Sequence, residues 1–306
     1  LTSASIDRIL ELERSFSVKT LRDDQGVLDL RYGIFYRGQG TPQKYIFFSN
    51  GRSEWLEKYC YLADDLELDE DTALVMWDHR GQGASGGTPA WIDDYSTYTR
   101  DMAHLVRAVA QDKPYVFLAH SMGGLIALYA TLAGVVAPRA MVLGSPLLGL
   151  PNRPVPRPLA KPLSVLLTRM CFGAVSSGAG SFTNRPFESN DLTQSRIMYD
   201  RIQQSPFKIP GATFEWVAAT FAAIDVVFAA RNVEKLSCPT LILGGTGETV
   251  VDKSAMAHWV KKAQELSSVP VRLSMIQGAK HELFSEIPQH YQGVVRETVA
   301  WIKEYL

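Results

Sequence analysis

Short apolar runs alternate with longer amphipathic stretches along most of this chain. Residues 45–49 (YIFFS), 73–77 (ALVMW), 115–118 (YVFL), 140–143 (AMVL), 240–243 (within PTLILGG, 239–245) and 271–276 (VRLSMI) each read as a buried strand. Helical patterns lie between them: one after residue 54 through about Leu66, one over 94–111, one from Leu125 onward, one over 253–266, and a last from about Gln289 to Tyr305. That alternation predicts a mostly parallel sheet covered by helices on both faces. Only the N-terminus breaks the rhythm. Residues 5–13 read as a short helix, and 16–22 and 27–36 flank the Asp23-Asp24-Gln25-Gly26 turn as an antiparallel hairpin at one sheet edge. In such a sheet, working residues belong at the carboxyl ends of the strands.

The pattern stops at Pro146, and no further sheet strand is evident until residue 239. Residues 146–187 hold Arg153, Arg157, Lys161, Arg169 and Arg185 with no acid, a charge of +5. Pro151, Pro154, Pro156, Pro158 and Pro162 argue against a continuous helix at the start of this segment. LSVLLTRMCF (163–172) is strongly apolar, 173–181 is a glycine- and serine-rich loop, and helical patterns return at 191–204 and 212–231. So long a stretch exceeds an ordinary connection. Residues 146–236 are therefore expected to form an inserted, mainly helical cap over the sheet's carboxyl edge, between core segments 1–145 and 237–306. Cations beside an apolar face would suit peripheral contact between the cap and an anionic membrane.

The 306 residues suffice for one large α/β domain carrying an insertion. A net charge of −1 offers no electrostatic case for nucleic acid. Cys60, Cys171 and Cys238 are too few and scattered for a disulfide framework or zinc site, and read as packed thiols. No apolar run reaches the ~18 residues of a membrane span. The expected location is the cytoplasm or the periphery of a membrane; because the sequence begins at Leu1, a removed targeting segment would leave no trace.

The chemistry centres on YVFLAHSMGGLIALYA (115–130), a strand that runs through Ser121 into a helix. So sharp a turn strains its apex and tolerates only small residues two positions away, here Ala119 and Gly123. The apex hydroxyl then stands at a helix N-terminus, as an acyl-transfer nucleophile requires. Among six histidines, His281 alone follows a sheet strand in a loop at the same edge, which makes it the candidate base. His104, His258 and His290 fall in or near helices, and His120 is expected to point away from Ser121. The acid that orients the base should follow an earlier strand, and both Glu248 and Asp252 follow 240–243. Glu248 is nearer the strand end, whereas Asp252 is placed to cap the next helix. Two backbone N–H groups should form the oxyanion hole, those of Met122 and of Arg52 in the turn after 45–49.

Gly81, Gly83 and Gly86 match a dinucleotide-binding spacing, but no helix begins there and a P-loop lysine is missing. That loop is expected to pack beside the nucleophile strand, with His79 as a structural residue. No metal or organic cofactor is expected.

Together, Asn50-Gly51-Arg52-Ser53-Glu54, DHRGQGAS (78–85), AHSMGG (119–124), GETVVD (247–252) and GAKHE (278–282) resemble the α/β-hydrolase superfamily, in the group of bacterial lysophospholipases and monoacylglycerol lipases. NDLTQSRIMYDRIQQSP (190–206) and GATFEW (211–216) resemble the bacterial lysophospholipase branch. Asn50 stands where a histidine is common, and Glu248 where aspartate is commoner. The resemblance implies a bacterial serine hydrolase that cleaves the acyl ester of a lysophospholipid or monoacylglycerol through an acyl-enzyme. An esterase or acyltransferase on another small ester, and a noncatalytic binding module, are the alternatives. Dehalogenases and epoxide hydrolases are disfavoured because their nucleophile is an aspartate. A proline-selective peptidase lacks an assignable acidic cluster for an amine.

Overall fold

Among the described residues, eight strands form one sheet in the order β1-β2-β4-β3-β5-β6-β7-β8. They are β1 (Ser17–Arg22), β2 (Asp29–Phe35), β3 (Lys44–Ser49), β4 (Thr72–Trp77), β5 (Tyr115–His120), β6 (Met141–Gly144), β7 (Thr240–Gly245) and β8 (Val271–Ile276). The computed structural model describes residues 6–152, 155–178 and 185–306. Ser5 of the first predicted helix, Arg153 and Pro154 of the basic run, and residues 179–181 of the predicted loop lie outside the described residues. The hairpin β1–β2 and the pair β2–β4 are antiparallel, and the remaining pairs are parallel.

Side chains alternate between two apolar layers. Phe47, Val75, Phe117, Leu143 and Ile242 face one, while Ile46, Phe48, Leu74, Val116, Leu118, Val142 and Leu241 face the other. Burial on both faces is why these strands read as continuous apolar runs. Among the described residues the α-helices are α1 (Ile6–Ser15), α2 (Leu62–Asp65), α3 (Tyr95–Ala110), α4 (Met122–Leu132), α5 (Arg157–Leu167), α6 (Arg196–Gln204), α7 (Phe214–Phe228), α8 (Ala230–Val233), α9 (Lys253–Leu266) and α10 (Pro288–Tyr305). Helices α3, α4 and α9 cover the first layer; α1, α2 and α10 cover the second. Asp94 and Asp252 cap α3 and α9 by accepting from Ser96 N and Ser254 N.

The helix predicted through Leu66 is instead a 3₁₀ turn, Leu56–Tyr59, followed by α2. Its tighter winding goes with the burial of Leu56, Lys58 and Tyr59 together. The glycine-rich loop packs on β2 rather than beside β5. Gly86 N donates to Asp29 O (2.8 Å) and Arg31 N to Ser85 Oγ (2.7 Å), while β3 separates β4 from β5.

Between β6 and β7 the chain leaves the sheet as an inserted helical cap comprising α5 to α8. Helix α7 anchors it, packing on α3, α4 and α5, with Tyr95 Oη and Thr220 Oγ1 hydrogen-bonded at 3.0 Å. The proline-rich start does contain a helix. Pro158 sits in the first turn of α5, where a missing N–H costs nothing, and Pro162 is carried inside it. Leu159, Leu163 and Leu166 of α5 and Met170 and Phe172 beyond it are exposed. Cys60 and Cys238 are buried thiols, but Cys171, between Met170 and Phe172, is exposed.

Candidate active site

β5 ends at His120, and α4 begins at Met122. Ser121 makes the turn alone, at φ 51° and ψ −116°, a conformation that costs a non-glycine residue strain. Its N–H donates to Gly144 O at 3.0 Å and its carbonyl accepts from Leu147 N at 2.9 Å, so the neighbouring strand holds the turn. Two positions on, a Cβ at Gly123 would come within 2.2 Å of Ser49 O and 2.4 Å of Asn50 O. The first turn of α4 thus lies directly on the end of β3. Met122 is the first residue of α4, so its N–H has no intrahelical acceptor. The Arg52 guanidinium donates to Pro210 O and lies over the Trp216 ring at 5.3 Å, both in the cap. Burial lowers its pKa to about 10.

The β8–α10 loop brings His281 to Ser121. The Ser121 hydroxyl donates to His281 Nε2 at 3.0 Å, and His281 Nδ1–H donates to Glu248 Oε2 at 2.6 Å. A carboxylate can only accept, which fixes the proton on Nδ1 and leaves Nε2 basic. Glu248 Oε1 accepts from Val250 N (2.7 Å) and Val251 N (3.2 Å), so its other oxygen is left for the imidazole. A Cβ at Gly245 would come 2.1 Å from Ala279 O, so only glycine there lets the two loops approach this closely. Burial would raise the Glu248 pKa, but His281 and the two backbone donors outweigh it and hold the carboxyl below its ordinary range. Burial would lower His281, yet Glu248, Glu282 and Glu54 raise it above 6.5. Asp252 is used elsewhere. It accepts from Ser254 N and Oγ and pairs with Arg157 of α5 at 2.5 Å.

A buried charged wall next to this line was missed in the sequence. Lys58 Nζ donates to Glu54 (2.5 Å) and to both oxygens of Glu282 (2.7 Å), and the Tyr59 hydroxyl is 2.8 Å from each carboxylate. Glu54, His120 and Glu282 hold their ligand atoms within 4.8 Å of one another, but the Lys58 ammonium already takes a cation's place there. The His120 ring lies 4.7 Å from that of His281 and makes no bond to Ser121. Its pKa is lowered by burial. Two signals were legible, the i,i+4 spacing of Glu54 and Lys58 and the adjacency of Glu282 to His281. His79 is buried and hydrogen-bonded to Asn50 O at 3.1 Å, a structural role.

Ser121, His281, Glu248 and Arg52 line one cavity of about 1100 Å³. Leu147, Leu150, Ile202, Ile209 and Trp216 give it apolar surface; Glu54, Lys58 and Glu282 are among its charged lining, as are Arg157, Asp252, Arg185, Asp191, Lys208 and Lys253. Such an arrangement can deprotonate a serine hydroxyl, hold an oxyanion at a helix N-terminus and bury an apolar chain.

A protein-family model described as "Serine aminopeptidase, S33" matches residues 40–288. A monkeypox virus protein named "Monoglyceride lipase homolog" is 28% identical over 90% of this chain and 94% of its own. A Haemophilus influenzae protein named "Probable lysophospholipase L2" is 29% identical over 85% and 83%. Among solved structures, a soluble variant of monoglyceride lipase from Saccharomyces cerevisiae, in complex with a substrate analog, superposes with a TM-score of 0.77. It is 18% identical and covers 95% of both chains, a likeness of fold.

Proposed function

Because the chain belongs to the family described as serine aminopeptidase, S33, on the α/β-hydrolase fold and is related to monoacylglycerol lipases, we propose that it is a serine hydrolase of lipid esters with a single acyl chain. Monoacylglycerols and lysophospholipids are the substrate class. The observation that carries this reading is the hydrogen-bonded line Ser121–His281–Glu248 opening on a cavity lined by both apolar and charged side chains. Ser121 Oγ attacks the ester carbonyl while His281 Nε2 takes its proton. The N–H groups of Met122 and Arg52 stabilise the oxyanion. Collapse expels the alcohol, which receives the proton from His281, and water then releases the acyl group by the same base. Glu248 fixes the tautomer, and the charges of Glu54 and Glu282 favour the imidazolium. The buried Glu54–Lys58–Glu282 cluster next to His281 suits a leaving group rich in hydroxyls. An aminopeptidase would need an uncommitted carboxylate for its substrate's ammonium, and Glu54 and Glu282 are both held by Lys58.

Hydrolysis rates over a panel of monoacylglycerols, lysophospholipids and short aryl esters test the substrate class. The long-chain single-acyl esters are expected to lead, and a panel in which none is cleaved would refute the reading. The same assay carries a pH expectation. His281 must be neutral to act as base, and its pKa is raised, so kcat/KM should fall on acidification through a midpoint above 6.5. A midpoint well below that value would remove His281 from the role.

Residues 146–236 serve in this reading as a lid that meets the lipid surface. Of the five basic positions in residues 146–187, three are paired with acids: Arg157 with Asp252, Lys161 with Asp225 and Arg185 with Asp191. The exposed apolar residues on α5 and beyond therefore carry the contact, with charge as a minor contribution. Among the described residues no helix is long and apolar enough to cross a membrane. Leu166→Glu with Phe172→Glu should reduce co-sedimentation with anionic vesicles severalfold, with only a shallow salt dependence in the parent protein. Undiminished binding by the double variant would contradict this docking face.

A further inference from the structure

A second cavity, of about 340 Å³, adjoins the first. Leu148 and Leu150, in the segment leaving β6, and Phe221, Ile224 and Phe228 of α7 give it apolar walls. Leu150, Arg157 and Asp252 line both cavities. The Arg157–Asp252 ion pair, at 2.5 Å, therefore stands in the shared wall.

Its two partners are held unequally. Asp252 is a fixed post: its Oδ1 accepts from Ser254 N (3.0 Å) and Ser254 Oγ (2.6 Å), and its N–H donates to Gly149 O (2.8 Å). Arg157 opens helix α5 of the cap, where its backbone N–H donates to Asn152 Oδ1 (2.9 Å), and its side chain is 37% exposed. A partly exposed ion pair adds little net stability, so its arginine can swing into water at small cost. Behind it lies apolar surface that a hydrocarbon chain would cover.

Resting on the lipid-ester reading above, we propose that Arg157 and Asp252 form a gate that ends the acyl-binding cavity. When the gate parts, the far end of a long acyl chain enters the second cavity. The pair thus sets the chain-length preference. A chain that stops short of it is indifferent to the gate. A longer one must part the ions before its last methylenes reach the wall of Phe221, Ile224 and Phe228. Each methylene moved there from water favours binding about fourfold, and the ion pair opposes that gain.

The test uses 1-O-alkylglycerols, whose ether cannot be hydrolysed, with chains of roughly eight to roughly eighteen carbons. Dissociation constants are measured for the parent protein, Arg157→Ala, and Arg157→Ala combined with Ile224→Trp, which fills the second cavity. In the parent, affinity should pause for about one methylene at the length that reaches the gate and then rise again. Arg157→Ala should remove the pause, so that affinity rises about fourfold per added methylene throughout. The added tryptophan should stop the rise at the gate. Identical length dependence in parent and Arg157→Ala, or a gain that survives Ile224→Trp, would overturn the gate. Hydrolysis of the matching acyl esters reports separately on the hydrolase reading. Ethers bound with the gated profile while esters stay intact would keep the gate and remove the hydrolase. Esters cleaved alongside ethers without that profile would do the reverse.

Discussion

Ser121→Ala is expected to lower ester turnover about a million-fold, as the loss of a serine nucleophile does where base and acid act only through it. The protein should remain folded. The Ser121 side chain faces the cavity and bonds to His281, while the turn itself is held by backbone bonds to Gly144 and Leu147. Alanine at φ 51° meets about the same backbone strain as serine. Substrate affinity should survive, because the cavity's apolar walls are untouched. A variant that kept more than about one-thousandth of the parent kcat would show that another group attacks the ester.

Glu248→Gln is expected to cost about ten-thousand-fold in kcat. The glutamine carbonyl can still accept from Val250 N and Val251 N, but its amide then faces His281 as a donor. A donor there favours the tautomer with its proton on Nε2, which can no longer accept from Ser121. Asp252→Asn makes the contrast. Asparagine Oδ1 can keep the bond from Ser254 N, so helix α9 stays capped, and what is lost is the Arg157 pair outside the reacting line. Its cost on a short ester should stay below about tenfold in kcat, and its cost in stability below about 2 kcal/mol. A larger loss of turnover in Asp252→Asn than in Glu248→Gln would move the orienting role to Asp252.

The strands were legible because both sheet faces are buried, so runs such as YIFFS and ALVMW carry their burial in composition alone. The placing of Ser121, Glu248 and His281 at one sheet edge followed from strand-end position. The structure brings these three together, and separates Asp252 from them, through local signals: a turn of small residues and a capping aspartate. What stayed hidden depends on contacts between distant segments. Lys58 falls on the helix predicted through Leu66, and its burial depends on Glu282 lying across from it, 224 positions later. The basic run 146–187 reads as a bare positive patch, yet Asp191, Asp225 and Asp252, all outside it, return to pair with its cations. Pro158 and Pro162 argued against a helix that the first turn of α5 accommodates, since Pro158 falls where no intrahelical N–H bond is made. Cys171 is exposed in the turn beyond α5, where its own φ is 66°, a local kink that the apolar run 163–172 did not signal.

Labelling with an alkyl fluorophosphonate, followed by peptide mapping, tests the role of Ser121 most directly. The reagent phosphonylates only a serine whose proton is taken by a neighbouring base, and it needs no knowledge of the natural substrate. The parent protein should carry one adduct, on Ser121, formed with loss of fluoride, and Glu248→Gln should acquire it far more slowly. Labelling of Ser121→Ala at the parent rate, or an adduct on any other residue of the parent, would contradict Ser121 as the nucleophile.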